Sequence, residues 1–205
     1  MKNIFALFIV LISSNVLADW MDDPCVLFDE KGTKCTYTVD NVKFIISPGG
    51  EIDFNNSKMQ VNLPEHFEIE EVRDGQIFGD ATYLALAITD HDSGGTIIIS
   101  ISLKKREIIW SSEFPAFNSS PLLVYEDELY IGGIGRVAKY SALSGKLVWE
   151  LKGLYERDTQ AFNGFNKPVI TGANVEFPES KVSTAKYSGI RKVVVNRQTG
   201  KLVSK

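Results

Sequence analysis

PLLVYEDELYIGGIGRVAKYSALSGKLVWELKG, Pro121 to Gly153, is the stretch whose reading decides the fold. Leu122 to Tyr125 and Leu129 to Ile131 are apolar runs of strand length, parted by the acidic turn Glu126-Asp127-Glu128. Gly132-Gly133-Ile134-Gly135 marks a second turn. Val137 to Ala142 and Lys146 to Trp149 follow as two more strands around Ser144-Gly145, a short-range hairpin signal. The whole reads as one antiparallel meander, the unit that a β-propeller repeats.

Toward the N-terminus, Val39 to Ser47 reads as a strand, Pro48-Gly49-Gly50 as a turn and Glu51 to Asn55 as a second strand. Met59 to Leu63 completes this first meander, and Pro64 ends it. Asp74-Gly75-Gln76-Ile77-Phe78-Gly79 aligns with Asp127 to Gly132 as a turn, an apolar pair and a closing glycine. Tyr83 to Thr89 and Thr96 to Leu103 form a long hairpin around Asp90-His91-Asp92-Ser93-Gly94-Gly95. Ile97, Ile99, Ile101 and Leu103 share one face of its second strand, the period of a half-buried strand. Glu107 to Trp110 then ends a meander as Leu147 to Trp149 ends the next.

The connections repeat as well. Trp110 and Trp149 are 39 residues apart, the two Ala-Phe-Asn triplets 45, and Pro121 and Pro168 47. Periods of this size belong to propeller blades. A final unit starts at Pro168, detours through Ala173 to Gly189 and closes on Thr199-Gly200-Lys201-Leu202-Val203, with Ser204 where Trp149 would stand. The expected fold is all-β, a small or incomplete β-propeller of about four antiparallel meander blades.

The string Ala142-Leu143-Ser144-Gly145-Lys146-Leu147-Val148-Trp149 resembles the repeat of quinoprotein-type propellers, in which a strand, a Thr-Gly-Lys turn and a strand ending in tryptophan recur. Leu103 to Trp110 and Asn196 to Val203 are weaker copies. The resemblance implies that Trp110 and Trp149 pack between neighbouring blades. For enzymes of that family it also implies a quinone with axial acidic and amide ligands, calcium, and often a disulfide of adjacent cysteines. Cys25 and Cys35 are not adjacent, and about four blades leave little axial channel. The repeat is therefore read as shared architecture without the active site, and no cofactor is expected.

Met1 to Ala18 carries an early lysine, an apolar run from Ile4 to Ile12 and a Val16-Leu17-Ala18 end suited to signal peptidase. It reads as a secretory signal cleaved after Ala18, leaving a single periplasmic domain from Asp19 to Lys205. In such a compartment Cys25 and Cys35 are expected to form a structural disulfide. Asp19 to Asp80 holds 14 acidic and 5 basic residues, whereas Lys181 to Lys205 holds 7 basic and no acidic ones. That asymmetry reads as an acidic first segment lying beside a basic last one, as ring closure would require. Exported proteins rarely meet nucleic acid, so none is expected as a partner.

Signals for catalysis are sparse. His66 and His91 are the only histidines, in no metal or nucleophile arrangement. Gly133-Ile134-Gly135-Arg136-Val137-Ala138 matches a dinucleotide fingerprint in letters, but a strand follows it where a helix is needed. Asp90 to Gly95 resembles half of a calcium loop, but position twelve is Ile101 and not glutamate. The chain is read as a non-enzyme with no metal site.

Binding is expected at loops. The candidates are Asp90, His91, Asp92 and Ser93 at the hairpin tip, and Tyr155, Arg157, Phe162 and Phe165 in the Lys152 to Lys167 connection, a hot-spot mixture. The expected function is an exported periplasmic protein-binding module, an inhibitor or immunity protein that blocks a secreted cell-wall-degrading toxin, its partner being an exported hydrolase or an envelope component. In general profile it is similar to immunity proteins that protect bacteria from secreted cell-wall-degrading toxins. The alternatives are an envelope scaffold, like the quinoprotein-like propellers of outer-membrane assembly, and a small-ligand or quinone-binding propeller enzyme.

Overall fold

In the computed structural model, which describes residues 25–27, 34–90, 92–154, 164–180 and 192–204, every regular element is a β-strand. The chain enters through the short β1 (Cys25–Val26) and then builds four antiparallel sheets in sequence order. The first holds β2 (Cys35–Val39), β3 (Val42–Ile46), β4 (Glu51–Phe54) and β5 (Ser57–Gln60). The second holds β6 (Glu68–Phe78), β7 (Ala81–Thr89), β8 (Gly94–Ser102) and β9 (Glu107–Phe114), with β1 added beside β6. The third is β10 (Leu123–Tyr125), β11 (Glu128–Gly133), β12 (Arg136–Ser141) and β13 (Leu147–Lys152). The fourth is β14 (Val169–Thr171), β15 (Asn174–Pro178), β16 (Lys192–Asn196) and β17 (Leu202–Ser204). Four consecutive meanders make a small all-β, propeller-like fold.

Four turns differ from the sequence reading, two of them only in extent, since Gly94-Gly95 open β8 and Gly132-Gly133 close β11. Val39 to Ser47 is not one strand, because Asp40 and Asn41 take left-handed φ values of 46° and 66° and fold β2 back onto β3. Short polar side chains tolerate that conformation, and two such residues suit a tight hairpin. Asp74-Gly75 is not a turn but lies inside the bulged strand β6; Gly79-Asp80 makes the turn that corresponds to Glu126-Asp127. The Asp74 carboxylate accepts the Leu122 N–H at 2.7 Å, and the Gln76 amide exchanges two bonds with the Val124 backbone at 2.9 and 3.2 Å. β6 thus directs its polar side chains to the backbone of the third sheet.

Burial orders the sheets. The first shows simple alternation: Phe44, Ile46, Ile52 and Phe54 turn inward, while Thr36, Thr38, Lys43 and Lys58 face outward. In the second and third sheets both faces are covered, as the unbroken buried runs of β7, β8 and β11 record. One cluster of buried side chains joins the first and second sheets through Phe44, Ile52, Leu84 and Ile99. A second joins the second and third through Ile98, Trp110, Leu129 and Ala138, and a third joins the third and fourth through Tyr130, Val137, Phe177 and Val193. Each buried Val, Leu, Ile or Phe among them stabilises by about 1.5–3 kcal/mol relative to exposure. Among the described residues no cluster joins the fourth sheet to the first. The closure read from the charge asymmetry is not seen among the described residues, and Lys181 to Arg191 of the basic segment lies outside them.

Trp110 and Trp149 each mark a joint, as the resemblance implied. Trp110 donates its indole N–H to the Ala142 carbonyl and packs on Gly145 of the next sheet; Trp149 does the same with the Arg197 carbonyl and Gly200. Tyr83 and Tyr130 back the two indoles, with ring centroids 5.9 and 6.1 Å away. At the N-terminal end Cys25 and Cys35 form the expected disulfide, their Cα atoms 5.6 Å apart. Because β1 pairs with β6 and Cys35 begins β2, this bond crosses from the second sheet to the first.

Candidate functional site

The β7–β8 hairpin carries the first candidate. Asp90 Oδ1 accepts the backbone N–H groups of Asp92 and Ser93 at 3.1 and 2.6 Å and the Ser93 hydroxyl at 2.8 Å. Hydrogen bonds led by the Ser93 N–H hold its carboxyl below the usual carboxylate range. An oxygen so occupied organises a turn, and the likeness to half a calcium loop goes no further. At the base of this tip Gly94 leaves room for the Phe117 ring, whose Cε1 would lie 2.6 Å from a Cβ at position 94. Phe117 is 53% exposed, and its carbonyl accepts the Ile134 N–H at 3.1 Å. The structure therefore brings Asp90, Asp92 and Ser93 together with an aromatic residue from a different connection. Sequence reasoning passed over Phe117; Gly94 in a strand was the signal that another group approaches closely.

The second set of candidates separates. Phe165 is not a contact residue: it is 4% exposed, meets Phe177 edge-on with centroids 6.1 Å apart, and fills the space that Gly132 leaves. An aromatic in a blade connection here caps a core. His91, Tyr155, Arg157 and Phe162 lie outside the described residues.

At the other end of the same sheets, a groove of about 320 Å³ opens between the second and third sheets. Phe78 and Ile109 form one wall and Leu143 the other, 43%, 50% and 68% exposed respectively. Tyr83, Ser100 and Ser102 lie along the groove, with Asp80, Glu126 and Asp127 contributed by the turns. The Tyr83 phenol donates to the Ala142 carbonyl at 3.3 Å and is pushed up by burial and, secondarily, by the Asp127 charge. Among the described residues no lysine or arginine lines this groove.

A charged cluster at the joint of the third and fourth sheets has a structural part. Glu128 receives Lys139, Tyr130 and Arg197 together, with Arg197 Nη2 at 2.6 Å. Burial works against the carboxylate, yet these hydrogen bonds hold it below its ordinary range. The Lys139 ammonium also donates to the Arg197 carbonyl, so the cluster binds one sheet to the next. Among the described residues no group of three or more His, Cys, Asp or Glu is placed to hold a metal ion, and no helix is long and apolar enough to cross a membrane.

No family model matches the chain, and no curated protein does. Among solved structures it is similar to BamB from Moraxella catarrhalis, at 17% identity and a TM-score of 0.48, covering 82% of this chain and 46% of that one. The quinohemoprotein alcohol dehydrogenase from Comamonas testosteroni is similar at 15% identity and a TM-score of 0.49, covering 65% of this chain and 20% of that one. The computationally designed Ika4 protein is similar at 10% identity and 0.45, covering 81% and 93%. The chain thus spans less than half of the two natural proteins, and at these identities the likeness assigns no activity.

Proposed function

We propose that this chain is an exported, non-enzymatic protein-binding module of the bacterial envelope that inhibits a secreted hydrolase by inserting the β7–β8 hairpin into its cleft. The carrying observation is the reach of that hairpin. Counted from the equivalent tyrosines of the two joints, β7 continues six residues past Tyr83 to Thr89, whereas β11 continues three past Tyr130 to Gly133. Three extra strand residues add about 10 Å. The projection ends in a turn already ordered by Asp90 and carries Phe117 beside it, so little freedom is left to lose on docking. The disulfide fits the oxidising compartment in which such a protein works, with Met1 to Ala18 as its export signal.

The test is recovery of partners by the chain from Asp19 to Lys205, from envelope and secreted fractions at low and moderate salt. One stoichiometric hydrolase that loses activity on binding is expected, with binding weakened about tenfold or more by Phe117→Ala. Recovery of no protein, or of a hydrolase indifferent to Phe117, overturns the reading. An envelope scaffold is favoured instead by one observation: among the described residues β17 is an edge strand with Leu202 and Val203 exposed, a place where another strand could add. Recovery of membrane-assembly proteins, lost on Val203→Pro, would establish it.

A further inference from the structure

The groove between the second and third sheets lies at the opposite end of the strands from the hairpin tip, so the two can act independently. We propose that it receives an extended segment of a partner protein presenting one lysine or arginine flanked by aliphatic residues. Its walls are Phe78, Ile109 and Leu143, large apolar side chains left in water. Three of them facing one opening are the kind of exposed apolar patch that marks an interaction surface.

Charge selects the occupant. Glu126 is engaged by Arg197 at 3.5 Å, but Asp80 and Asp127 have no ion pair among the described residues. Lys104 and Lys105 belong to the adjoining turn, outside the lining, and Lys105 pairs with Glu107 at 3.4 Å. A cationic side chain laid in the groove places its methylene stem against Ile109 and Leu143 and its charged head near the two free carboxylates. An anionic segment would meet Asp80 and Asp127, while Arg197, the cation nearest to hand at Glu126, is already engaged by Glu126 and Glu128.

The probe is a capped heptapeptide with one arginine between leucines, titrated into the chain from Asp19 to Lys205 and followed by amide chemical shifts. Its control replaces arginine with glutamine. The arginine peptide is expected to shift residues around Phe78, Ile109 and Leu143, to bind about fivefold tighter than the control, and to lose that margin in high salt. Asp80→Asn with Asp127→Asn should remove the margin, and Leu143→Ala should weaken both peptides. All three positions are in turns or walls, and the thermal midpoint of each variant confirms that it folds. Phe117→Ala should leave peptide binding unchanged, which separates this site from the hairpin tip. Equal affinity for the two peptides, shifts confined to another face, or no binding up to about 5 mM would each overturn the proposal.

Discussion

The indole of Trp149 closes on the α-carbon of Gly200, where a Cβ would lie 2.7 Å from the indole Cγ and the backbone φ is +69°. Trp110 and Gly145 repeat the relationship one sheet earlier, with a Cβ 2.6 Å from the indole Cε3 and the same φ. A glycine is required at each place twice over, by conformation and by contact. Gly200→Ala should destabilise by about 3 kcal/mol, of which about 1–2 is left-handed backbone strain and the rest overpacking. In a Trp149→Ala background the ring part of the contact disappears while the Cβ of residue 149, 2.8 Å away, remains, so the same substitution should cost less than in the wild type but more than the backbone strain alone. Urea denaturation of the four proteins in this cycle checks the coupling; strictly additive effects would show that the indole does not press on Gly200.

Arg106 occupies the corresponding place in the second sheet. Its N–H bonds to the Ser102 carbonyl at 2.8 Å as Gly145 bonds to Ser141 and Gly200 to Asn196, and its φ is +58°. No tryptophan ends the first sheet to press on it, so a side chain is tolerated at the price of backbone strain. Arg106→Gly should therefore stabilise by up to about 1 kcal/mol, less the loss of its exposed bond to the Asn55 carbonyl. The opposite sign in urea titration would mean that the arginine contributes more than its conformation costs.

Glu128 supplies a pH dependence. Burial raises its carboxyl, but Lys139, Tyr130 and Arg197 together leave it below its ordinary value of 4.5. A depressed folded value means that its contribution is fully present above about 4.5 and is lost as pH falls from there toward the folded value. Asp74 works the other way, because burial raises its carboxyl and acidification favours the folded state on its account. The clean reading is thus the difference between wild type and Glu128→Gln. At neutral pH the variant should lose about 2 kcal/mol, and the gap should narrow below pH 4.5. A gap independent of pH would remove the electrostatic role.

The disulfide has a local readout. Cys25→Ser with Cys35→Ser should cost about 2–3 kcal/mol and release β1 first. Leu27 donates its N–H to the Glu70 carbonyl at 2.8 Å, so its exchange should accelerate well before that of amides inside β7. Uniform acceleration across both would show that the bond supports the whole fold and not one strand.

Much of the architecture was legible because it repeats. Gly145 and Gly200 stand in matching turns, and Trp110 and Trp149 stand at matching places within β9 and β13, so period and pattern point to blades before any contact is known. The errors share a cause, which is that a dipeptide carries several meanings until its distant partner is known. Asp74-Gly75 has turn letters but sits in a strand because its carboxylate binds Leu122 of the next sheet. Asp40-Asn41 hid in an apolar run and made the turn. The groove was illegible for a related reason: Phe78, Ile109 and Leu143 belong to three separate segments, and only the packing of two sheets assembles them. Phe165 looked like an interface aromatic because sequence shows the kind of side chain and not which side of it is covered.

Among the described residues each sheet shares its buried clusters with its neighbours in sequence alone, and sheets coupled in that way behave as a one-dimensional chain of units. The terminal units have one interface and the inner units two, so melting begins at the ends and moves inward. The fourth sheet hangs on the Trp149 joint and the Glu128 cluster, while the first has the disulfide as a second tether. Heating should therefore fray the C-terminal end first. A ligand that grips only the hairpin of the second sheet leaves that first transition where it was, and its binding is read instead in the persistence of the two middle sheets.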